Sequence, residues 1–181
     1  MSECPVLGFA AYSGTGKTTL LKQLIPLLKE KGLSIGVIKH SHHDVELDTP
    51  GKDSYELRKA GATQTLLAGP HRWSLVTETP RQDDASFHSM LRQLDQQQLD
   101  LILVEGFRDE AITKIELHRK GIDKPFFYPH DKNIIAVATD DPGSISSGLA
   151  VLDLDNPAII AEFILDWHNR NNPGVDHSLP L

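Results

Sequence analysis

The sequence is short of cysteine and of long apolar runs. Its single cysteine, Cys4, excludes a disulfide within the chain, and such scarcity is typical of the reducing cytoplasm, where we expect the protein to work. No apolar run reaches the roughly 20 residues of a membrane-spanning helix. Residues 1–5 lack the basic start and apolar block of a signal peptide. We therefore expect no association with a membrane.

Positive charge is also scarce. The chain has 18 Lys and Arg against 25 Asp and Glu, a formal net charge of −7, which argues against a protein that binds nucleic acid. An apolar fraction of 39% and a charged fraction of 24% are ordinary for a globular protein. The length of 181 residues is enough for one α/β domain with a proper core. We predict a single domain over 1–170 and a loose tail over 171–181.

The segment 11–19, Ala-Tyr-Ser-Gly-Thr-Gly-Lys-Thr-Thr, lies between an apolar run at 6–10 and leucines that recur at helical spacing. A strand, a glycine-rich turn and a helix are the context of a phosphate-binding P-loop. Gly14 and Gly16 let the backbone turn its N–H groups toward an anion. The helix that begins near Lys17 adds further N–H groups and the positive end of its dipole. The pattern predicts nucleotide binding more strongly than a chance glycine-rich turn.

Each residue type in this segment has a role in phosphate chemistry. Lys17 supplies a positive charge for the β- and γ-phosphates, and the Thr18 hydroxyl is placed to ligate Mg²⁺. The predicted nucleotide-binding residues are Ser13, Gly14, Thr15, Gly16, Lys17, Thr18 and Thr19.

One position departs from the usual pattern, because Ala11 stands where the first glycine of G-x-x-x-x-G-K-[ST] falls. If the loop required a positive φ there, alanine would be strained by about 1 kcal/mol or more. If it requires only a small residue, alanine suffices. We favour the second interpretation, because Gly14 to Thr18 are intact.

A second motif follows the apolar run at 101–104. Branched residues without interruption indicate a strand that is buried on both faces, as in a parallel sheet. Glu105 then occupies the position of the Walker B acid, from which it can contact the Mg²⁺ shell, and Gly106 allows close approach of the γ-phosphate. The alternative is that Glu105 caps a following helix. We predict Lys17 and Glu105 as the catalytic pair, with Thr18 and Glu105 as the metal-binding residues.

The loop that follows the second predicted strand is rich in histidine. His40, His42 and His43 lie there with Asp44 and Asp48, at a carboxyl end of a strand where ligands bind in open α/β sheets. One interpretation is a loop near the γ-phosphate, in which Lys39, His43 or Asp44 faces Mg²⁺ or the attacking group. The others are a solvated polar loop and a Zn²⁺ or Ni²⁺ site, although the regular ligand spacing of zinc sites is missing.

The remaining pattern predicts a P-loop NTPase of the α/β class, a mostly parallel sheet flanked by helices with an added antiparallel hairpin. Strands are predicted at 6–10, 33–38, 101–104, 114–118, 133–138 and 150–154, and helices at 17–31, 53–62, 85–98 and 157–167. The hairpin comprises β-prone runs at 63–68 and 72–77 around Gly69-Pro70. Pro26 is expected to kink the first helix.

Two features near the later strands bear on recognition. The aromatic residues at 126–128 are interpreted as local packing rather than a platform for a base. The turn after the predicted strand at 133–138 contains Asp140 and Asp141. A carboxylate in such a turn can accept two N–H bonds from guanine, so we expect Asp140 to recognise the base, although Asp-Pro is also an ordinary turn.

Taken together, these motifs resemble those of the MobB family, whose members are adapter proteins in the synthesis of the guanine dinucleotide form of the molybdenum cofactor. The resemblance extends from about residue 6 to residue 167. It rests on the segments 13–19, 39–40, 42–44, 51–62, 77–80 and 101–107. Alanine at position 11 fits this family.

The resemblance implies a homodimer that binds GTP with Mg²⁺ and hydrolyses it weakly. It also implies a partnership with a MobA-type guanylyltransferase, which joins GMP to molybdopterin, and with the molybdenum cofactor itself. On that basis the region 62–80 is a candidate for the dimer contact. Among arginines, Arg58 is the candidate within the chain for a contact with phosphate.

Three other functions stay open. The first is an ATP-dependent kinase or ligase for a small molecule, which would hold its acceptor with the loop from His40 to Asp48. The second is a metal-delivery GTPase with His40, His42 and His43 as ligands. The third is a binding module that uses no nucleotide, for which replacement of Lys17 would leave function intact.

Overall fold

The computed structural model describes residues 4–41, 46–79 and 86–172. They divide into two compact units, one formed by residues 4–40 with 86–172 and the other by residue 41 with 46–79. Of the tail predicted over 171–181, residues 173–181 lie outside the described residues, as do His42, His43 and Asp44 of the histidine-rich loop.

The first unit contains a six-stranded sheet in which every pairing is parallel. The strands are β1 (Val6–Ala10), β2 (Ile35–Lys39), β5 (Leu101–Glu105), β6 (Lys114–His118), β7 (Ile134–Thr139) and β8 (Ala150–Asp153); the helices of this unit are α1 (Lys17–Glu30), α3 (Phe87–Leu91) and α4 (Pro157–Asn171). The strand order is β2-β5-β1-β6-β7-β8, so β1 lies inside the sheet, between β5 and β6. The predicted fold class is confirmed.

The sheet is buried on both faces at β5, because that strand carries apolar side chains without alternation. In β5, residues 101–104 are all fully buried. Leu101 and Leu103 join the cluster that contains the apolar faces of α1 and α4, whereas Ile102 and Val104 join the opposite cluster around Phe87. Successive side chains of a strand point to opposite faces, so one apolar strand anchors helices on both sides.

Two predicted helices have different lengths from those expected. The helix predicted over 85–98 is wrong in extent: α3 ends at Leu91 and a separate 3-10 turn covers Gln96–Gln98. Asp95 starts that turn, because its side chain accepts the N–H of Gln97. The last helix continues to Asn171 rather than ending near 167, since His168 is buried and bonds the Asp100 carbonyl at 3.0 Å.

The first helix forms as one element in spite of Pro26. Its apolar positions Leu20, Leu21, Leu24 and Leu28 are buried, as helical spacing predicts. Burial of each such side chain contributes about 1.5–3 kcal/mol, which is comparable with the roughly 3 kcal/mol cost of an interior proline. Packing of the leucine face therefore keeps the helix continuous through the proline.

The second unit contains α2 (Asp53–Lys59) and a hairpin of β3 (Gln64–Ala68) and β4 (Trp73–Thr77), which confirms the predicted antiparallel pair. The hairpin forms its own two-stranded sheet. Several of its apolar side chains are exposed, including Leu66, Leu67, Trp73 and Leu75. Among the residues described, neither unit contains a helix with the length and apolarity needed to cross a membrane.

Candidate functional site

The loop predicted to bind phosphate, residues 11–19 and called the phosphate-binding loop below, joins β1 to α1, as the sequence predicts. Gly14 and Gly16 have φ angles of 83° and 99°, and Gly16 is the left-handed residue at the start of α1. A Cβ at either position would meet no atom within 4 Å, so backbone conformation alone requires glycine there. Ala11 is different. Among the described residues Phe107 is the one non-glycine residue with a positive φ, so Ala11 is unstrained and the small-residue interpretation is confirmed.

Lys17 reaches back over this loop. Its Nζ donates hydrogen bonds to the carbonyls of Ala11 at 2.9 Å and Tyr12 at 3.0 Å. Burial lowers the pKa of Lys17 below its usual range, and the Glu105 carboxylate opposes that shift in part. The ammonium is thus held at the mouth of the loop, where a phosphate would meet it.

The two residues predicted to hold Mg²⁺ are in direct contact. The Thr18 hydroxyl donates to Glu105 Oε1 at 2.9 Å. The two side chains come from the start of α1 and the end of β5, and β5 is the strand paired with β1 on one side. A hydroxyl and a carboxylate oxygen suit Mg²⁺, which takes oxygen ligands and keeps one or two protein groups beside waters and phosphates. The donor set therefore fits the ion.

Lys39 completes this cluster from the neighbouring strand. Its Cα pairs with that of Glu105 across β2 and β5. Its Nζ lies 3.3 Å from Glu105 Oε1 and 3.4 Å from the Thr18 hydroxyl oxygen. The Lys39 side chain is 57% exposed and that of Glu105 is 13% exposed. The prediction that Lys39 faces the metal region is consistent with this position.

The chain turns sharply after Glu105, and no helix follows it in 106–113. The alternative role of Glu105 as a helix cap is therefore wrong. Gly106 has a φ of 101°, and a Cβ there would lie 2.6 Å from the Cβ of His40. The ring of His40 stacks on that of Phe107 with centroids 4.3 Å apart. Both backbone conformation and close approach require glycine at 106.

The histidine loop is described only in part. His40 lies against Phe107 and donates its backbone N–H to the Glu105 carbonyl at 2.8 Å. Within the described residues no group of three His, Cys, Asp or Glu side chains is arranged to hold a metal ion. The proposed metal-delivery role for His40, His42 and His43 stays a prediction.

Arg119 contacts the phosphate-binding loop, and the sequence pattern did not identify it. Its Nε donates to the Thr15 carbonyl at 3.2 Å. Thr15 is buried and its hydroxyl bonds the Tyr12 carbonyl at 2.9 Å. Arg119 directly follows β6, the other strand paired with β1. The signal in the sequence that could have identified Arg119 is its position directly after a predicted strand, where ligands bind in open α/β sheets.

Asp140 lies where β7 ends, at the edge of the sheet where a ligand is expected. Its Oδ1 accepts the backbone N–H of Lys120 at 2.8 Å and its Oδ2 lies 3.4 Å from Arg119 Nη1. The Lys120 N–H, with a smaller contribution from Arg119, lowers the pKa of Asp140. The carboxylate is therefore ionised and partly engaged, and its role in guanine recognition stays a prediction.

The strand β6 carries charges into the core, although charged residues are seldom buried without partners. Lys114 and Glu116 are 2% and 0% exposed. Lys114 pairs with Asp131 at 2.6 Å. Glu116 accepts the backbone N–H groups of Phe127 and Tyr128, each at 2.8 Å. Burial raises the pKa of Glu116, and these two hydrogen bonds oppose the rise.

The aromatic cluster at 126–128 packs locally, as predicted. Phe126 lies 3.9 Å from the ring of His118, and Phe127 stacks on Tyr12 with centroids 4.4 Å apart. The guanidinium of Arg108 lies 5.0 Å from the centre of the Phe127 ring.

Lys17, Arg119 and Arg108 therefore place positive charges at or beside the phosphate-binding loop, although the net charge of the protein is −7.

Arg58, the predicted candidate for a phosphate contact, has other partners in the second unit. It forms ion pairs with Glu46 and with Glu78, the latter at 2.7 Å, and its side chain is 9% exposed. Both partners are acidic side chains of the same unit, so a phosphate would have to displace them.

Comparison with known proteins agrees with this geometry. Residues 6–140 match the model of the family described as molybdopterin guanine dinucleotide synthesis protein B, or MobB. A molybdopterin-guanine dinucleotide biosynthesis adapter protein of Escherichia coli K12 is 49% identical over 169 residues, which cover 93% of this chain and 95% of that protein. The corresponding adapter of Haemophilus influenzae is 44% identical, covering 92% and 90%.

A solved structure gives the same result at the level of the fold. The crystal structure of a molybdopterin-guanine biosynthesis protein B superposes with a TM-score of 0.68 at 25% identity, covering 90% of this chain and 99% of the other. The family match spans both the phosphate-binding loop and Glu105, and the full-length relatives match nearly end to end. The chain therefore belongs to the MobB family.

Proposed function

We propose that this protein is a GTP-binding adapter of molybdopterin guanine dinucleotide biosynthesis that hydrolyses GTP slowly. The observation that supports it is the 2.9 Å contact between Thr18 and Glu105 beside a phosphate-binding loop, in a chain of the MobB family. The adapter role is the one that the names of the relatives in E. coli and H. influenzae state.

In this proposal the triphosphate lies on the loop from Ser13 to Thr19. Backbone N–H groups and the start of α1 bind the phosphate oxygens, and Lys17 turns from the loop carbonyls to the β- and γ-phosphates. Thr18 and Glu105 hold Mg²⁺, which neutralises phosphate charge when it is bound. Hydrolysis by such a site depends on positioning and charge neutralisation rather than on covalent chemistry.

Selectivity for guanine is assigned to Asp140. An ionised carboxylate offers about four lone-pair sites, and the contacts with Lys120 and Arg119 occupy part of that capacity. Two N–H groups of guanine complement the remaining sites, whereas adenine offers no such pair. The low pKa of Asp140 keeps it an acceptor at neutral pH.

The partners proposed are a MobA-type guanylyltransferase and its molybdenum cofactor, with a second copy of this chain. The exposed apolar residues of the hairpin support a contact there, because Leu66, Leu67 and Trp73 are all more than half exposed. Apolar patches of this kind mark protein interfaces, and an isolated two-stranded hairpin is marginally stable in water.

Calorimetric titration with GTP and with ATP, each with Mg²⁺, tests the nucleotide assignment. We expect GTP to bind wild type and Lys22→Ala, since Lys22 is exposed on the same helix, and not to bind Lys17→Ala. We expect ATP to bind much more weakly. Preferred binding of ATP would favour the kinase or ligase alternative. Equal GTP binding by wild type and Lys17→Ala would overturn the P-loop assignment.

A further inference from the structure

Arg108 follows a strained turn at the edge of the phosphate-binding site. Gly106 and Phe107 both have positive φ angles, 101° and 48°. For Phe107 this conformation is strained, because its Cβ crowds the carbonyl that follows. The ring of Phe107 is fixed by stacking on His40 at 4.3 Å and by an edge contact with Phe87 at 5.3 Å. Strained backbone that is held in place by surrounding contacts in this way is concentrated at functional sites.

The guanidinium of Arg108 rests on an aromatic stack that begins in the phosphate-binding loop. Tyr12 belongs to that loop, Phe127 stacks on Tyr12 at 4.4 Å, and Arg108 lies 5.0 Å above Phe127. An arginine over an aromatic face is attracted by the negative potential of the ring. Its Nε is 3.3 Å from the Asp109 carboxylate, and within the described residues its two terminal nitrogens make no hydrogen bond. Those two nitrogens remain available to an anion.

Phe127 is held from below by the core of the sheet. The fully buried carboxylate of Glu116 accepts the backbone N–H groups of Phe127 and Tyr128 at 2.8 Å each. Hydrogen bonds to a carboxylate are roughly twice as strong as neutral ones. The ring that supports Arg108 is therefore fixed by β6 rather than by a surface loop alone.

Arg108 is also close enough to Lys17 for the two charges to interact. Burial is the main reason that the pKa of Lys17 is lowered, and the positive charges of Lys39 and Arg108 add to the effect. Cations gathered at one place repel one another, and an anion placed among them relieves that repulsion. A triphosphate, with more charge than a diphosphate, relieves it most.

We propose that Arg108 is a phosphate-binding cation supplied within the chain, which contacts the terminal phosphate of the nucleotide, and that Phe127 and Glu116 are its positioning residues. The proposal rests on the nucleotide binding proposed above. A planar guanidinium binds two phosphate oxygens at once and stabilises the charge on a transferring phosphoryl group. Arg108 would thus favour GTP over GDP and raise the rate of hydrolysis.

The test compares the affinities of wild type, Arg108→Ala and Arg108→Lys for a non-hydrolysable GTP analogue and for GDP, with Mg²⁺. Arg92→Ala is the matched control, because Arg92 lies at the end of α3 and contacts Ser89. We expect Arg108→Ala to weaken binding of the analogue at least about tenfold more than binding of GDP, since it removes one charge-assisted contact with the terminal phosphate. The effect of Arg108→Lys should be intermediate, because lysine keeps the positive charge but cannot bind two phosphate oxygens at once with a planar group.

The positioning role is tested by Phe127→Leu, with Phe126→Leu as the matched control in the same loop. Phe127→Leu should lower the preference for the GTP analogue over GDP, while Phe126→Leu, which packs on His118, should leave that preference unchanged. In the double variant with Arg108→Ala, the Phe127 effect on the preference should largely disappear. Fully additive effects would overturn the positioning role, because a merely structural change would persist without Arg108.

The outcomes separate this inference from the proposed function. If the analogue binds wild type and not Lys17→Ala, while Arg108→Ala behaves as Arg92→Ala, the Arg108 assignment is wrong and nucleotide binding stands. If wild type and Lys17→Ala bind the analogue equally, the phosphate site itself is wrong. Thermal unfolding of each variant identifies those that fail to fold, and Arg108→Lys then provides the measurement in place of Arg108→Ala.

Discussion

Thr18 and Glu105 are 87 positions apart in the chain, yet the hydroxyl of one donates a 2.9 Å hydrogen bond to the carboxylate of the other. The contact follows from the parallel pairing of β1 with β5, which brings the strand before the loop and the strand that carries the acid side by side. Lys39 on β2 adds a cation 3.3 Å from the same carboxylate. The ends of β5 and β2 and the start of α1 thus build the region assigned to Mg²⁺.

Glu105→Gln should abolish most of the Mg²⁺-dependent part of GTP affinity. The amide keeps the size of the side chain and an oxygen acceptor but removes the charge that attracts a hard cation. The measurement is a GTP titration with Mg²⁺ and with EDTA, using Glu162→Gln on the exposed face of α4 as control. An unchanged response to Mg²⁺ would remove Glu105 from the metal site.

Gly106→Ala should destabilise the fold by at least about 2 kcal/mol, from the left-handed backbone and from overpacking. The φ of 101° disfavours any Cβ, and this Cβ would lie 2.6 Å from that of His40. Gly143→Ala is the control, because a Cβ there meets nothing within 4 Å. Urea unfolding gives both free energies, and equal values for the two variants would contradict the expectation.

The stability of wild type relative to Glu116→Gln should fall as pH rises from about 4 toward neutral. Burial raises the folded-state pKa of Glu116 above its unfolded value, so the folded state binds more protons across that interval. The contribution of Glu116 to the free energy of unfolding is therefore fully present below its pKa in the unfolded state. It is lost as the pH rises through its pKa in the folded state. Urea unfolding of both proteins across this range checks the sign, and an opposite slope would refute burial as the dominant effect.

Trp73→Ser should shift the protein from dimer to monomer. Trp73 is 69% exposed on β4, and removal of a large aromatic side chain from an interface commonly costs 2 kcal/mol or more, about a thirtyfold change in dissociation constant. Leu57→Ser is the control, an exposed apolar residue on α2 outside the hairpin. Sedimentation measures the mass. A wild type that is monomeric at all concentrations would refute the dimer.

Much of the site could be predicted from sequence because its signals are local. Gly14, Gly16 and Lys17 fall within one short segment, and Glu105 directly follows an uninterrupted apolar strand. Each is recognised without knowledge of which strands become neighbours. The hairpin was predictable for the same reason, since its two β-prone runs flank a Gly-Pro turn.

The parts that were missed depend on contacts between distant segments. The sequence predicted a strand at 114–118 without showing that Lys114 and Glu116 are buried, because charged residues are seldom buried without partners. Their partners, Asp131 and the backbone N–H groups of Phe127 and Tyr128, lie 11–17 positions away in an irregular loop. The spacing of apolar residues in the sequence does not predict such pairs.

The predicted helix over 85–98 was wrong in extent for a different, local reason. Its apolar residues Phe87, Met90, Leu91 and Leu94 do pack against one cluster, but Asp95 forms a local hydrogen bond with the backbone. Side chains of this kind compete with helical hydrogen bonds and end the helix. Spacing located the buried face correctly and could not locate the end.

The phosphate-binding loop is secured on both flanks before any ligand arrives: the Thr15 carbonyl is bonded to Arg119 after β6, and Thr18 to Glu105 at the end of β5. A loop that is already ordered has little conformational entropy to lose when it captures an anion. For the nucleotide binding proposed above, association would require few slow rearrangements of the backbone, and we expect encounter rather than folding of the loop to set its rate.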